Sequence, residues 1–81
     1  MNRPVETLDT SGLKCPMPVL KTRRKLAEMQ PGDHLHVTAT DPMALKDMPD
    51  YCSLAGHQLL MAREQNDRYI FEIVCGKQPA D

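Results

Sequence analysis

Leu8-Asp9-Thr10-Ser11-Gly12-Leu13-Lys14-Cys15-Pro16-Met17-Pro18-Val19 is the stretch on which the reading of this chain turns. Thr7, Leu8 and Asp9 suit a short first strand, Ser11-Gly12 supplies turn chemistry, and Pro16 and Pro18 follow. Proline has no amide hydrogen, and the first amides of a helix have no intrahelical acceptor, so proline at the first and third helical positions forfeits no ladder bond. Pro16 is therefore expected as the first helical residue and Cys15 as the N-cap, its sulfur beside free amides such as that of Met17. A thiolate is favoured at the positive end of a helix, and Lys14 and the basic helix residues add positive potential. The two prolines remove two possible donors, which limits the depression of the thiol pKa, and serve mainly to rigidify and expose the sulfur. A free cysteine is more often a small buried hydrophobe. Cys15, however, lies on a polar turn between Gly12-Leu13-Lys14 and Pro16, off any apolar stripe.

Outward from this turn, Val19, Thr22, Leu26 and Met29 fall on one arc at helical spacing, with Lys21, Arg24, Lys25 and Glu28 opposite. The pattern predicts an amphipathic helix from Val19 to Met29 with a solvated basic back, ended by Pro31-Gly32-Asp33. Leu35, Val37 and Ala39 alternate with His34, His36, Thr38 and Thr40, the period of a second strand. Asp41-Pro42 reads as an N-cap followed by proline at the first helical position, and should open a second helix that carries Met43, Ala44 and Leu45 inward. Pro49 should interrupt that helix with a bend near Met48, and a second piece through Cys52 and Leu54 should stop at Gly56. His57 to Glu64 and Arg68 to Cys75 then read as two antiparallel strands joined by Gln65-Asn66-Asp67. The order β-α-β-α-β-β predicts an α/β (α+β) two-layer sandwich: one mixed four-stranded sheet, right-handed crossovers, and both helices on one face.

The length of 81 residues suits a single domain over residues 1–81, with a core from about 6 to 76 and short flexible ends. So small a chain is a poor host for a deep pocket with many convergent catalytic groups. A formal charge of -1 supplies no global field for nucleic acid or an anionic membrane. The first residues are polar, with no apolar core of a signal peptide, and no apolar run approaches the ~20 residues of a membrane span. A cytoplasmic protein is expected, with no membrane contact. The odd set Cys15, Cys52 and Cys75 contains no C-x-x-C pair, which fits reduced thiols better than a disulfide framework or a zinc ribbon.

The run Leu8-Asp9-x-x-Gly12-Leu13-x-Cys15-Pro16-x-Pro18-Val19, with Met29-Gln30-Pro31-Gly32, Asp41-Pro42, Asp47-x-Pro49 and Cys52 after it, resembles the TusA/SirA family of sulfur carriers. The C-P-x-P motif alone is weak, but here it follows a strand and opens a helix, and the resemblance spans about Thr7 to Cys75. The resemblance implies that Cys15 is the catalytic, persulfide-carrying cysteine, supported by Gly12, Lys14, Pro16 and Pro18. It implies a cysteine desulfurase as donor and a downstream sulfur-relay protein as acceptor, with no cofactor of the chain's own, since the pyridoxal phosphate belongs to the donor. Arg23 and Asp41 match positions around the family's desulfurase-docking surface; read from the residues alone they are a solvent-exposed arginine and an ordinary N-cap. The resemblance makes synthesis of 2-thiouridine in tRNA the leading expectation for where the sulfur goes. The same chemistry in relatives serves sulfur oxidation, molybdenum-cofactor maturation or selenium metabolism, and a non-catalytic interaction module is the remaining alternative.

Three rival readings are weaker. Cys15, Cys52, Cys75, His34, His36 and His57 offer metal-ligating atoms, and His34 and His36 share a strand face, but no close cysteine pair is present and no metal is expected. Lys21, Arg23, Arg24 and Lys25 are a dense basic run, yet on a helix they spread around the axis and no aromatic residue interleaves with them, so direct nucleic-acid binding is not expected. A thiol redox protein wants a resolving cysteine, whereas Cys52 and Cys75 both sit in apolar patterns that favour packing.

Overall fold

Six elements follow one another: β1 (Val5–Thr10), α1 (Met17–Ala27), β2 (His34–Ala39), α2 (Ala44–Ala55), β3 (Gln58–Gln65) and β4 (Arg68–Val74). The structure, a computed structural model, describes residues 5–76; the expected flexible ends fall largely outside this range. The strands form one mixed sheet in the order β1-β2-β4-β3, with β1 and β2 parallel and both the β2–β4 and β4–β3 pairs antiparallel. The predicted sandwich and element order are thus what the chain adopts.

The alternation in β2 explains the layering. Leu35, Val37 and Ala39 are fully buried, and their partners across the ladder are Ile73, Phe71 and Tyr69, which share the same face. Each helix lays a four-residue-spaced stripe on that face: Pro18, Thr22 and Leu26 from α1, and Ala44, Met48 and Cys52 from α2. Thr22 is buried without an unpaired hydroxyl, because its Oγ1 donates to the carbonyl of Pro18 at 2.8 Å. The opposite face carries His34, His36 and Thr38, which remain half-exposed, and the His36 ring lies 2.8 Å from the Glu72 carboxylate. Lys25, expected on the solvated back of α1, is half-buried and reaches across to Glu6 of β1 at 3.0 Å.

Several boundaries differ from expectation. Regular α1 begins at Met17 with Pro16 as its cap and ends at Ala27, so Met29 packs against the core from beyond the helix. Regular α2 begins at Ala44, because the residues after Asp41 first form tighter i→i+3 turns, from Ala44 N to Asp41 O and from Leu45 N to Pro42 O. Of Met43, Ala44 and Leu45, only Ala44 turns inward. Pro49 does not divide α2, which continues to a left-handed cap at Gly56 with φ of 84°. The ladder bond that Pro49 lacks belongs to the carbonyl of Leu45, on the exposed flank of the helix where water can take its place. The β3–β4 link is two residues, Asn66 and Asp67, both at positive φ, the backbone of a type I′ hairpin turn.

Candidate functional site

Because β1 and β2 run parallel, their C-terminal ends share one edge of the sheet, and the connections to α1 and α2 leave it side by side. Hydrogen bonds sew the two connections together. Thr10 Oγ1 donates to the carbonyl of Thr38 at 2.7 Å, and the Gly12 amide donates to Thr40 Oγ1 at 2.8 Å. Gly12 has φ of 82°, a left-handed conformation that strains any side-chain-bearing residue even though the space beside it is open. Asp41 completes the stitch: one carboxylate oxygen accepts from the Met43 amide at 3.0 Å and the other from the Cys15 amide at 2.6 Å. These two amides, that of Cys15 foremost, hold the Asp41 carboxyl below the usual carboxylate range, with a smaller contribution from Lys14.

The sulfur itself is not where an N-cap would put it. Pro16 takes the cap position, joined to Cys15 by a cis peptide bond, and the Met17 amide is already paired to the carbonyl of Lys14 at 2.8 Å. The exposed Cys15 thiol instead donates to Asp47 Oδ2, 2.7 Å away in the first turn of α2. The expected thiolate is therefore disfavoured in the free protein. The hydrogen bond to Asp47 pushes the Cys15 thiol above its ordinary value, with smaller contributions from desolvation and from the Asp47 and Asp41 charges. The other two cysteines lie in the core. Cys52 is fully buried and pushed up to about 11 by burial alone. Cys75 is buried with its sulfur against the carbonyls of Leu26, Met29 and Gly76.

Cys15 is thus an exposed cysteine on a C-P-x-P turn, at the end of the sheet where the parallel strands β1 and β2 finish. The profile of the sulfurtransferase TusA family matches residues 6–74. The chain belongs to this family. A Neisseria meningitidis serogroup B protein provisionally named as a sulfur carrier is 52% identical over 61 residues, covering 75% of this chain and 82% of that protein. The sulfur carrier protein TusA of Pseudomonas paraeruginosa is 39% identical over 74 residues, covering 90% of this chain and 94% of the relative. The crystal structure of a SirA-like protein from Desulfitobacterium hafniense superposes with a TM-score of 0.78 at 25% identity, covering 91% of this chain and all of that one.

On this TusA-family scaffold the other expected residues have distinct places. Gly12 and Pro18 shape the loop and the base of α1, with Pro18 buried; Lys14 and Pro16 are exposed beside the sulfur. Arg23 is exposed on α1, where Met17, Leu20, Lys21, Arg23, Arg24 and Ala27 line a groove of about 560 Å³. Asp41 is both an opening residue of the turn into α2 and a holder of the Cys15 amide, a contact that spacing along the chain does not reveal. Asp47 was only part of a pattern in the sequence. The signal that finds it is topological: parallel β1 and β2 place the first turn of α2 beside the turn that carries Cys15. Among the described residues, no group of three His, Cys, Asp or Glu side chains is placed to hold a metal ion, and no helix is long and apolar enough to cross a membrane.

Proposed function

We propose that Cys15 receives sulfane sulfur from a cysteine desulfurase, holds it as a persulfide in the cytoplasm, and relays it to a downstream carrier in tRNA 2-thiouridine synthesis. The observation that carries this reading is the contrast in access: Cys15 is exposed at a turn, whereas Cys52 and Cys75 are buried. Sulfur exchange requires a sulfur that two partners can approach in line, and little else from the carrier. In loading, Cys15 Sγ bonds to the terminal sulfur of the donor persulfide, and the bond between that sulfur and the donor's own cysteine breaks. The bonding pair stays on the donor cysteine, which takes up a proton, while Cys15 gives one up. Unloading repeats the displacement with an acceptor thiolate attacking the outer sulfur of Cys15, and neither step changes the total oxidation state.

The α1 groove suits a docking partner. Met17 and Leu20 are 39% and 44% exposed, an apolar strip flanked by Lys21, Arg23 and Arg24, and it starts two residues from the sulfur. An apolar centre with a cationic rim fits an acidic protein surface, which supports reading Arg23 as a partner-binding residue. Asp41 serves the same encounter by fixing the Cys15 backbone, both of its oxygens being engaged within the chain. The test is intact mass after incubation with a cysteine desulfurase, pyridoxal phosphate and cysteine, comparing the wild type with Cys15→Ser, Cys52→Ser and Cys75→Ser. A reductant-reversible gain of one sulfur atom, lost only in Cys15→Ser, is expected. Loading indifferent to Cys15, or none at all, would overturn the reading. The destination is tested separately, by whether loss of the protein from its cell lowers 2-thiouridine in tRNA.

A further inference from the structure

The pairing of Cys15 with Asp47 runs against the simplest picture of a sulfur nucleophile, since a carboxylate is a poor neighbour for a thiolate. Its usefulness becomes clear when the empty and loaded sulfurs are compared. The empty Cys15 Sγ carries a hydrogen and gives it to Asp47 Oδ2 at 2.7 Å. Asp47 is itself held in the first turn of α2, its amide bonded to the carbonyl of Met43 at 2.9 Å. Once loaded, Sγ is bonded to its own Cβ and to the outer sulfur, and has no hydrogen left to donate. The outer sulfur ionises more readily than a thiol, so its negative charge meets the carboxylates of Asp47 and Asp41, which hold the Cys15 thiol and amide. The other side of the turn is different. The first turn of α1 contains no acidic residue, presents the positive end of the helix, and leads to Lys21, Arg23 and Arg24.

We propose that Asp47 is a positioning residue that distinguishes the two states of Cys15, holding the empty thiol against α2 and turning the loaded sulfur away toward α1. The inference rests on the carrier reading above and adds a direction to it. In the empty protein the sulfur is drawn to the acidic wall, where it is slow to react with stray electrophiles. In the loaded protein the same wall repels it, and rotation of one side chain brings the outer sulfur toward the groove proposed for partners. No cofactor or co-reactant is needed, because the switch is the loss of the thiol hydrogen on loading.

The experiment compares wild type with the near-isosteric Asp47→Asn and the charge-conserving Asp47→Glu. The first readout is the rate of Cys15 alkylation by iodoacetamide against pH on the unloaded chain, which a merely structural role of Asp47 would not move. In Asp47→Asn the midpoint should fall, because the hydrogen bond and like charge that disfavour the thiolate are lost. The larger thiolate fraction at pH 7, discounted for the lower nucleophilicity of a more acidic thiol, should make alkylation roughly threefold faster. Asp47→Glu should keep the midpoint closer to wild type. The second readout is the urea midpoint before and after loading with inorganic polysulfide, confirmed by mass. Loading should lower the midpoint of wild type and leave that of Asp47→Asn nearly unchanged. An unchanged alkylation profile, or an equal effect of loading on both proteins, overturns the proposal while leaving the carrier reading intact. Failure of the desulfurase to load wild type overturns the carrier reading, whereas the alkylation profile still decides whether Asp47 holds the thiol.

Discussion

Cys15 and Cys52 are both weaker acids in this fold than an ordinary thiol, and the causes differ in kind. Cys52 is shut into the core beneath α2, where nothing solvates its charged form. Cys15 lies in the open, and what suppresses its thiolate is a hydrogen bond that an approaching partner can displace. Acidity in the resting protein thus fails to separate a reactive sulfur from an inert one; the removability of its cause separates them. The Asp41 contact strengthens the contrast, since it fixes the Cys15 backbone while a displaceable bond to Asp47 holds the sulfur.

The largest effect that could break this contrast is on loading itself. Cys15→Ser should abolish sulfur loading by a cysteine desulfurase and Cys52→Ser should retain it, as read by intact mass. Stability should sort the two regions in the reverse order. Met48→Ala, in the same buried stripe as Cys52, should cost about 2–5 kcal/mol in urea unfolding, whereas Leu54→Ala, on the exposed side of α2, should stay within about 0.5 kcal/mol. Cys52→Ser should cost about 1–3 kcal/mol by burying a hydroxyl in an apolar site, and Cys15→Ser should leave the urea midpoint unchanged. In the native protein one thiol should be open to a thiol reagent, and the other two only after unfolding.

The smallest effect concerns the core edge farther along the chain. His57 is buried against Tyr51, its Nδ1 accepting from the Gly76 amide at 2.9 Å, and burial lowers its pKa below 6.5. A depressed histidine contributes stability that is complete above the unfolded value and is lost as pH falls through the folded one. Urea midpoints should therefore decline below about pH 6.5 in wild type, and more shallowly in His57→Gln. Cys15 acts at the other end of the scale: its raised value makes its contribution full below about 9 and lost as pH rises through the folded value.

The elements were legible because their periods were. The alternation around Leu35 and Val37, the Gly56 stop and the hairpin at Asn66-Asp67 are local signals, and each stands where the sequence puts it to within a residue or two. The exposed Cys15 was legible for the same reason, being flanked by turn residues. Its electrostatics were not. The reading by position, a sulfur among free helix amides, failed because the Met17 amide bonds within the turn and because Asp47 lies 32 residues away in sequence. Such a contact follows from the parallel pairing of β1 and β2, which no local spacing announces. Pro49 failed as a breaker for a related reason: tertiary packing of Met48 and Cys52 holds α2 together across a bond that the isolated segment would lose.

The most direct test of the account is to find where the sulfur resides. Wild-type protein loaded by a cysteine desulfurase should be capped with an alkylating reagent, digested without reductant, and its cysteine peptides read by tandem mass spectrometry. The account predicts the extra sulfur atom on the Cys15 peptide and none on the peptides containing Cys52 or Cys75. Extra sulfur on either buried cysteine, with Cys15 capped directly, would contradict it.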